Sequence, residues 1–363
     1  MDKLVFLLAG YLATKIVAPR LFVIDVAYIA LVAYITYGVS PVSAILSLPF
    51  FLGVAMVGRG RFVSEAGTAS ALAITGIYLM AQEAAYLKAL GFAVATISPA
   101  VLLPTLGDRG SLEGLLRYLV ISTAANAFMV IGLATRPVYT DFGNFFITLA
   151  LAVELGTVPM FMWLVDVYTR SSPAGLVALA SLPKLAVGFA LLYIAPQPPA
   201  AVMSVVGALS MLVGNLGALT SRDLRKVFAY STVAHAGFAF FAYPLDPRVA
   251  FWLIYVDTMG KMALFYNLDR GSSRWAAVLL TLNQVGIPPI LGFWPKLYLL
   301  AHTAASLGLL PAAYVLANIV LTAPYYFRVM MSLPDGAAHF PKVTATMLAT
   351  LGVLAPLWFL YLS

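Results

Sequence analysis

The chain has 363 residues, of which 62% are hydrophobic and only 10% are charged. This composition leaves too little polar surface to cover a water-soluble globule of this length, so it excludes a soluble enzyme and indicates that lipid is the solvent. The net charge of +7 favours cytoplasmic Lys and Arg that set the membrane topology over a nucleic-acid-binding surface.

Apolar runs follow one another along almost the whole chain. A membrane-spanning helix needs about 20 mostly apolar residues, and runs of this kind predict an all-α polytopic membrane protein of roughly 14 or 15 helices. The predicted spans are 3–18, 21–38, 41–58, 66–82, 84–104, 114–133, 143–166, 174–194, 200–219, 224–243, 249–267, 274–293, 294–310, 311–332 and 342–362. The stretches between them are too short for a separate nucleotide-binding, haem-binding or catalytic domain.

Loop charges predict the orientation of these spans. The densest charged loop, expected on the cytoplasmic side, consists of Arg222, Asp223, Arg225 and Lys226. Arg270 and Arg274 fall on the same side if both intervening helices span, whereas the loop at 195–200 carries no charge. We therefore expect a multi-pass protein of a cell membrane, with a prokaryotic plasma membrane as its location.

Ionisable side chains inside the predicted spans are the candidate functional residues. A charge at the bilayer centre costs at least about 2.5 to 3.5 kcal/mol, and such residues usually mark ion pathways. They are Lys15, Asp25, Glu83, Lys88, Glu154, Lys184, Asp257, Lys261 and Lys296. Lys15, Glu83 and Lys88 lie near span ends, so their side chains are expected to reach the membrane surface.

Two of the remaining lysines directly follow a proline, Lys184 after Pro183 and Lys296 after Pro295. Proline lacks a backbone donor and tends to break a helix, and broken helices occur in membranes only where they line a cavity or are buried in protein. A pair of such segments is typical of transporters built from structural repeats. The alternative is that both prolines merely kink packing helices and both lysines bind nearby carbonyls.

The other intramembrane charges can control these lysines. Asp257 and Lys261 are four residues apart and share one helix face, so they can form a pair with or without a function. Glu154 lies deep in its span, where a carboxyl group favours its protonated form unless a lysine is near. Two unit charges about 4 Å apart interact by roughly 4 kcal/mol at an effective dielectric of about 20, which is enough to switch a buried lysine between charged and neutral. We predict a proton relay formed by Lys184, Lys296, Glu154, Lys261 and Asp257.

Other chemistries find little support in the sequence. The absence of cysteine excludes iron–sulfur ligation, thiolate zinc sites and disulfides. His235, His302 and His339 are scattered, so we expect no metal, haem or other cofactor. Ser231 and His235 are four residues apart, but nothing in the sequence supplies the substrate pocket of a hydrolase.

Six segments, taken in order, form a specific set. They are SLEGLLRYLVISTAANAF (111–128), VPMFMWLVDVYTRSSP (158–173), SLPKLAVGFALL (181–192), LSMLVGNLGAL (209–219), DLRKVFAYSTVAHAGF (223–238) and GIPPILGFWPKLY (286–298). The segments 223–238 and 286–298 are the most specific. Together the six resemble the N-subunit family of Complex I, the proton-translocating NADH-quinone oxidoreductase, and more broadly the antiporter-like subunits of cation/proton antiporters and membrane-bound hydrogenases.

The resemblance implies about 14 helices that contain two five-helix inverted repeats, each with a broken helix whose lysine corresponds to Lys184 or Lys296. It divides the chain into divergent N-terminal helices (1–110), an antiporter-like proton-translocating core (111–332) and a C-terminal helix (333–363). It also implies a non-redox subunit without a catalytic centre of its own, in contact with other membrane-arm subunits and the bilayer. The complex would use quinone and NADH or another electron donor.

The sequence also departs from the family pattern. The family's usual glutamate falls near Phe92 or Ala93, its usual lysine falls at Glu154 and its usual histidine at Phe161, and the helix at 200–219 has no ionisable residue. Either Glu154 replaces the carboxylate partner of Lys184, or the first half-channel no longer conducts.

Two alternatives to a respiratory proton-translocating subunit remain open. One is a subunit of a cation/proton antiporter or a membrane-bound hydrogenase. The other is a non-conducting membrane scaffold. The sequence leaves open the electron donor and the choice between protons and sodium.

Overall fold

The computed structural model describes residues 2–17, 22–39, 45–47, 63–101, 109–197 and 199–359. Within these ranges the chain is built of α-helices, with a short 3₁₀ turn at Ser98–Val101 and an isolated bridge between Ser272 and Asp335. The helices are α1 (Asp2–Val17), α2 (Phe22–Val39), α3 (Val63–Met80), α4 (Ala85–Ile97), α5 (Arg109–Thr135), α6 (Thr140–Leu155), α7 (Met162–Arg170), α8 (Pro173–Leu179), α9 (Leu182–Tyr193), α10 (Ala200–Thr220), α11 (Leu224–Ala242), α12 (Pro247–Arg270), α13 (Arg274–Val285), α14 (Phe293–Leu307), α15 (Leu309–Ser332) and α16 (His339–Phe359). The predicted all-α class is confirmed, and most of the predicted span 41–58 lies outside the described residues.

Four described helical segments are long and apolar enough to cross a membrane, namely 109–135, 173–193, 200–220 and 309–332. Large apolar side chains point outward from three of them, and Val120, Val205 and Val320 are each more than half exposed. Charged side chains lie inside, among them Lys184 and Lys261. This distribution, apolar outside and ionisable inside, is that of a protein whose solvent is lipid.

Breaks in the helix divide three of the predicted spans, namely 143–166, 174–194 and 274–293. Within the predicted span 143–166, α6 ends at Leu155, directly before Gly156, which has a left-handed backbone (φ 70°). The helix resumes at α7. The second break separates α8 from α9 at 180–181. The third follows α13 at Gly286 (φ 85°), and the helix resumes at α14. Glycine is favoured at this position because it adopts the left-handed conformation without steric cost.

The prolines act differently from the prediction. Pro183 and Pro295 lie in the first turns of α9 and α14 and do not interrupt a continuous helix. The first turn tolerates proline because the backbone N–H that proline lacks has no partner there. The predicted breaks beside Lys184 and Lys296 therefore exist, but each precedes its proline, and the break at Gly156 was not predicted.

Helix α12 occupies the centre of the second half of the fold. It packs against α8, α9, α11, α13, α14 and α16. Beside it, α10 and α11 approach so closely that a Cβ on Gly214 would lie 2.3 Å from the Ala234 backbone nitrogen. Small residues of this kind are what allows membrane helices to pack backbone to backbone. The charges in the middle of α12, Asp257 and Lys261, are consequently buried in protein.

The N-terminal helices contain a buried ion pair, which corrects the expectation that Lys15 reaches the membrane surface. Its Nζ lies 2.7 Å from Asp25 Oδ2, and the Tyr11 hydroxyl donates to Asp25 Oδ1 at 2.7 Å. A Cβ on Gly67 would lie 2.6 Å from the Asp25 side chain, so α3 closes over the pair. Lysine 15 turns inward because the carboxylate that attracts it lies on the neighbouring helix.

Replacing Lys15 with methionine is expected to lower the free energy of unfolding by about 3 to 5 kcal/mol, because it leaves Asp25 buried without its cation. Thermal denaturation of the detergent-solubilised protein measures this loss. The double variant Lys15→Met/Asp25→Asn should recover most of the stability, and Thr14→Val, at an exposed neighbouring position, is the control. A single variant as stable as the parent would contradict the structural role of the pair.

Candidate functional site

Asp257 and Lys261 form the predicted pair on α12. Lys261 Nζ lies 2.7 Å from Asp257 Oδ1 and donates a hydrogen bond to Oδ2 at 3.0 Å. Lys261 is fully buried and Asp257 is 6% exposed. Their spacing of four residues places both on one face of the helix, and the predicted contact is confirmed.

His235 on α11 adds a second basic group to the same carboxylate, which the sequence analysis missed. Its Nδ1 lies 3.3 Å from Asp257 Oδ1 and 2.7 Å from the Ser231 carbonyl oxygen. Its Nε2 lies 3.2 Å from the Gln284 carbonyl oxygen. The signal available was a lone histidine inside the predicted span 224–243, which we weighed only as a metal, haem or hydrolase residue.

Lys296 is held by the break between α13 and α14. Its Nζ donates to the carbonyl oxygens of Gln284 at 2.6 Å and Val285 at 3.0 Å, the last carbonyls of α13. Such terminal carbonyls have no partner within their own helix and carry partial negative charge, so they attract a cation. A lysine bound to nearby carbonyls is what the alternative to a functional break predicted. The Gln284 carbonyl also contacts His235, however, and His235 contacts Asp257, so this carbonyl connects Lys296 to Asp257.

Lys184 lies at the other end of the buried charges. Its Nζ donates to the Thr232 hydroxyl at 3.1 Å and stands 5.4 Å from the centroid of the Tyr168 ring. The charged groups that act on it are Lys261 and Asp257. Lys184 thus faces α11 and α12, the helices that carry the centre of the site.

Glu154 is not the partner of Lys184, which corrects the expected pairing. Its Oε1 contacts the Tyr118 hydroxyl at 2.8 Å, and no ion pair joins it to Lys184. The reason is the packing of α6 against α5, which turns Glu154 toward Tyr118, whereas Lys184 turns toward Thr232. The structure therefore brings together four of the five predicted relay residues and leaves Glu154 apart.

We refer to Lys184, Lys261, Asp257, His235 and Lys296 as the central charge line. Gln284 supports it, because its side-chain Nε2 donates to the Asp257 carbonyl at 3.0 Å while its own carbonyl faces His235 and Lys296. A Cβ on Gly260 would lie 2.2 Å from that Nε2, so glycine is required for this approach. The line contains one carboxylate and four basic groups, and protonation of one base therefore opposes protonation of the next.

Apart from Glu154, the positions that depart from the family pattern are occupied by side chains that do not ionise. Phe92 is fully buried, and Phe161 packs near Tyr230 with ring centroids 6.2 Å apart. On α10, Asn215 Nδ2 donates to the Asn318 carbonyl at 2.9 Å, and the Tyr325 hydroxyl donates to Asn215 Oδ1 at 3.1 Å. This amide contact joins α10 to α15 without a charge. In the part of the chain that the structure describes, no three His, Asp or Glu side chains are grouped as metal ligands would be.

Comparison with known proteins finds similar sequences and similar folds among membrane proteins. The family model "NADH:quinone oxidoreductase/Mrp antiporter, TM" matches residues 100–268. A relative, NADH-quinone oxidoreductase subunit N of Chromohalobacter salexigens, is 28% identical over 305 residues, which cover 68% of this chain and 64% of the relative. The aligned region thus spans less than two thirds of that relative's length.

Two solved structures share the fold. A chain of respiratory complex I from Thermus thermophilus superposes with a TM-score of 0.81 at 20% identity, and the match covers 98% of this chain and 97% of the other. A chain of the Mrp complex from Dietzia sp. superposes with a TM-score of 0.75 at 16% identity, with 99% and 91% covered. The chain is therefore similar in fold to these two membrane-complex chains, and residues 100–268 match the family that its motifs predict.

Proposed function

We propose that this chain is a membrane-arm subunit of a respiratory NADH-quinone-oxidoreductase-like complex and that it translocates protons along the central charge line. The observation that carries the proposal is the single carboxylate, Asp257, placed among four buried basic groups from Lys184 to Lys296. Such a line has more sites for protons than negative charge to hold them, which is the property that a relay needs.

Each step of this relay would work through charge. Asp257 contacts both Lys261 and His235. A change in its distance to either base therefore changes how strongly the neighbouring base of the line holds a proton. Unit charges about 4 Å apart interact by roughly 4 kcal/mol at an effective dielectric of about 20. We assign Lys184 to the input end and Lys296 to the exit end, with electron transfer elsewhere in the complex driving the change.

The proposal includes two inverted five-helix repeats in a protein of about 14 membrane helices, with a core at 111–332 between N-terminal helices at 1–110 and a C-terminal helix at 333–363. Two of the breaks support it, because they share a pattern. Leu155-Gly156 and Val285-Gly286 end α6 and α13, each glycine has a positive φ, and each is followed three residues later by a proline, Pro159 or Pro289.

The partners proposed for this chain are other membrane-arm subunits and the bilayer of a cell membrane. NADH or another electron donor and quinone would react in other parts of the complex, and this chain would bind neither. Purification in mild detergent, followed by identification of the copurifying subunits, tests the assembly directly.

A subunit of a cation/proton antiporter is the second candidate, since the matching family and the Dietzia complex both bear the Mrp name. Copurification of quinone-reactive subunits would favour the first proposal. Ion exchange across vesicles that proceeds without any electron donor would favour the second.

Lys184→Ala is expected to lower redox-linked proton translocation by more than about tenfold, since a positioned proton-transfer group contributes about 100-fold or more. Proton uptake by vesicles that contain the complex measures the effect, and quinone reduction in the presence of an uncoupler reports assembly. Lys226→Ala, at an exposed position in the first turn of α11, is the matched control. Normal translocation by Lys184→Ala would favour the non-conducting scaffold.

A further inference from the structure

The last turn of α6, directly before the break at Gly156, carries a buried polar residue, Glu154, that is not part of the central charge line. Glu154 is 2% exposed, Tyr118 is 1% exposed and Thr96 is fully buried. Glu154 Oε1 and the Thr96 carbonyl oxygen both contact the single hydroxyl of Tyr118. These three residues come from α6, α5 and α4, so the contact joins three helices at one point.

The number of protons decides how these contacts are made. A tyrosine hydroxyl has one proton to donate, and a backbone carbonyl can only accept. If Tyr118 donates to the Thr96 carbonyl, the short contact with Glu154 Oε1 needs a proton from Glu154. If Tyr118 donates to Glu154, its oxygen faces the Thr96 carbonyl with no proton between them. Only a carboxylic acid at Glu154 satisfies both contacts.

The surroundings of Glu154 lead to the same state. Among the described residues, no Lys, Arg or His forms an ion pair with it. Among the residues that the structure describes, its Oε2 has no hydrogen-bond partner. Ser122, one turn after Tyr118, approaches the carboxyl group without the geometry of a hydrogen bond to that oxygen. An ionised carboxylate offers about four acceptor positions, and a buried charge without a partner is strongly disfavoured.

We propose that Glu154 is held as a neutral carboxylic acid that donates its proton to Tyr118, which in turn donates to the Thr96 carbonyl. The break after α6 is then a proton-binding site of the carboxylic-acid class, separate from the lysine sites. It is neutral when it holds a proton and negative when empty, whereas a lysine site is positive when loaded and neutral when empty. Only its assignment to the translocation path rests on the proposed function; Tyr118 and Thr96 are positioning residues.

Infrared spectroscopy of the purified full-length protein near neutral pH tests this state without any assay of translocation. The parent should show the carbonyl stretch of a protonated carboxyl group, shifted in D₂O. Glu154→Gln, which keeps the shape of the side chain, should lose that band. Tyr118→Phe should move the band to higher frequency, because the hydrogen bond is lost. Glu113→Gln, at an exposed carboxylate paired with Arg170, should leave it unchanged.

A parent without this band, or a band that persists in Glu154→Gln, would overturn the inference and show an ionised Glu154. If Glu154→Gln does not fold, the Tyr118→Phe spectrum decides, and an unshifted band overturns the inference. The proposed function fails separately, by normal translocation in Lys184→Ala. The two failures are therefore distinguishable.

Discussion

Asp257→Asn is expected to abolish redox-linked proton translocation. Asparagine keeps the size of the side chain but removes the negative charge that contacts Lys261 and His235. Removal of one partner of a buried ion pair costs about 3 to 5 kcal/mol, because the other charge is left uncompensated. We expect the bases of the line to lose their protons to relieve this cost, so that no site can be loaded and discharged in turn.

Proton uptake by vesicles, together with uncoupled quinone reduction, measures the effect on coupling. Asp269→Asn is the matched control, since Asp269 lies on the same helix and pairs at the surface with Arg270; it should translocate normally. Asp257→Glu keeps the charge and should retain part of the activity. If Asp257→Asn translocates like the parent, the proposed relay has no centre.

Features set by composition or by spacing along one helix were predictable. The apolar runs predicted the helices, and the separation of Asp257 and Lys261 predicted their contact, because four residues complete about one helical turn. Neither prediction depends on how helices pack against one another.

Features set by contacts between helices were not predictable. The inward turn of Lys15 depends on Asp25 of the next helix, and the separation of Glu154 from Lys184 depends on which face α6 presents to α5. His235 and Lys296 both contact the Gln284 carbonyl, which has no partner within its own helix because α13 ends there. A sequence shows which groups can pair, whereas the packing selects the pairs.

Lys296→Arg is expected to lower translocation by at least about tenfold although it keeps the positive charge. Lys296 binds the last two carbonyls of α13 as an ammonium group, and a guanidinium group can occupy the same partly negative position. Arginine stays charged in proteins, so this site could bind its cation but never release the proton. Lys296→Ala should fail for the opposite reason, because it has no group to titrate.

The comparison of the two variants separates a proton carrier from a fixed charge. If Lys296 only neutralises the end of α13, arginine should support normal translocation and alanine should not. If Lys296 carries the proton, both should fail, and uncoupled quinone reduction should show that both complexes assemble. Lys226→Arg, at an exposed position in the first turn of α11, controls for the substitution itself. A Cβ on Gly286 would lie 2.8 Å from Lys296 Cδ, so the lysine side chain passes through a narrow space. Thermal stability, measured alongside translocation, therefore distinguishes lost proton release from steric distortion. Normal translocation by a stable Lys296→Arg variant would leave the residue as a fixed charge and favour the scaffold.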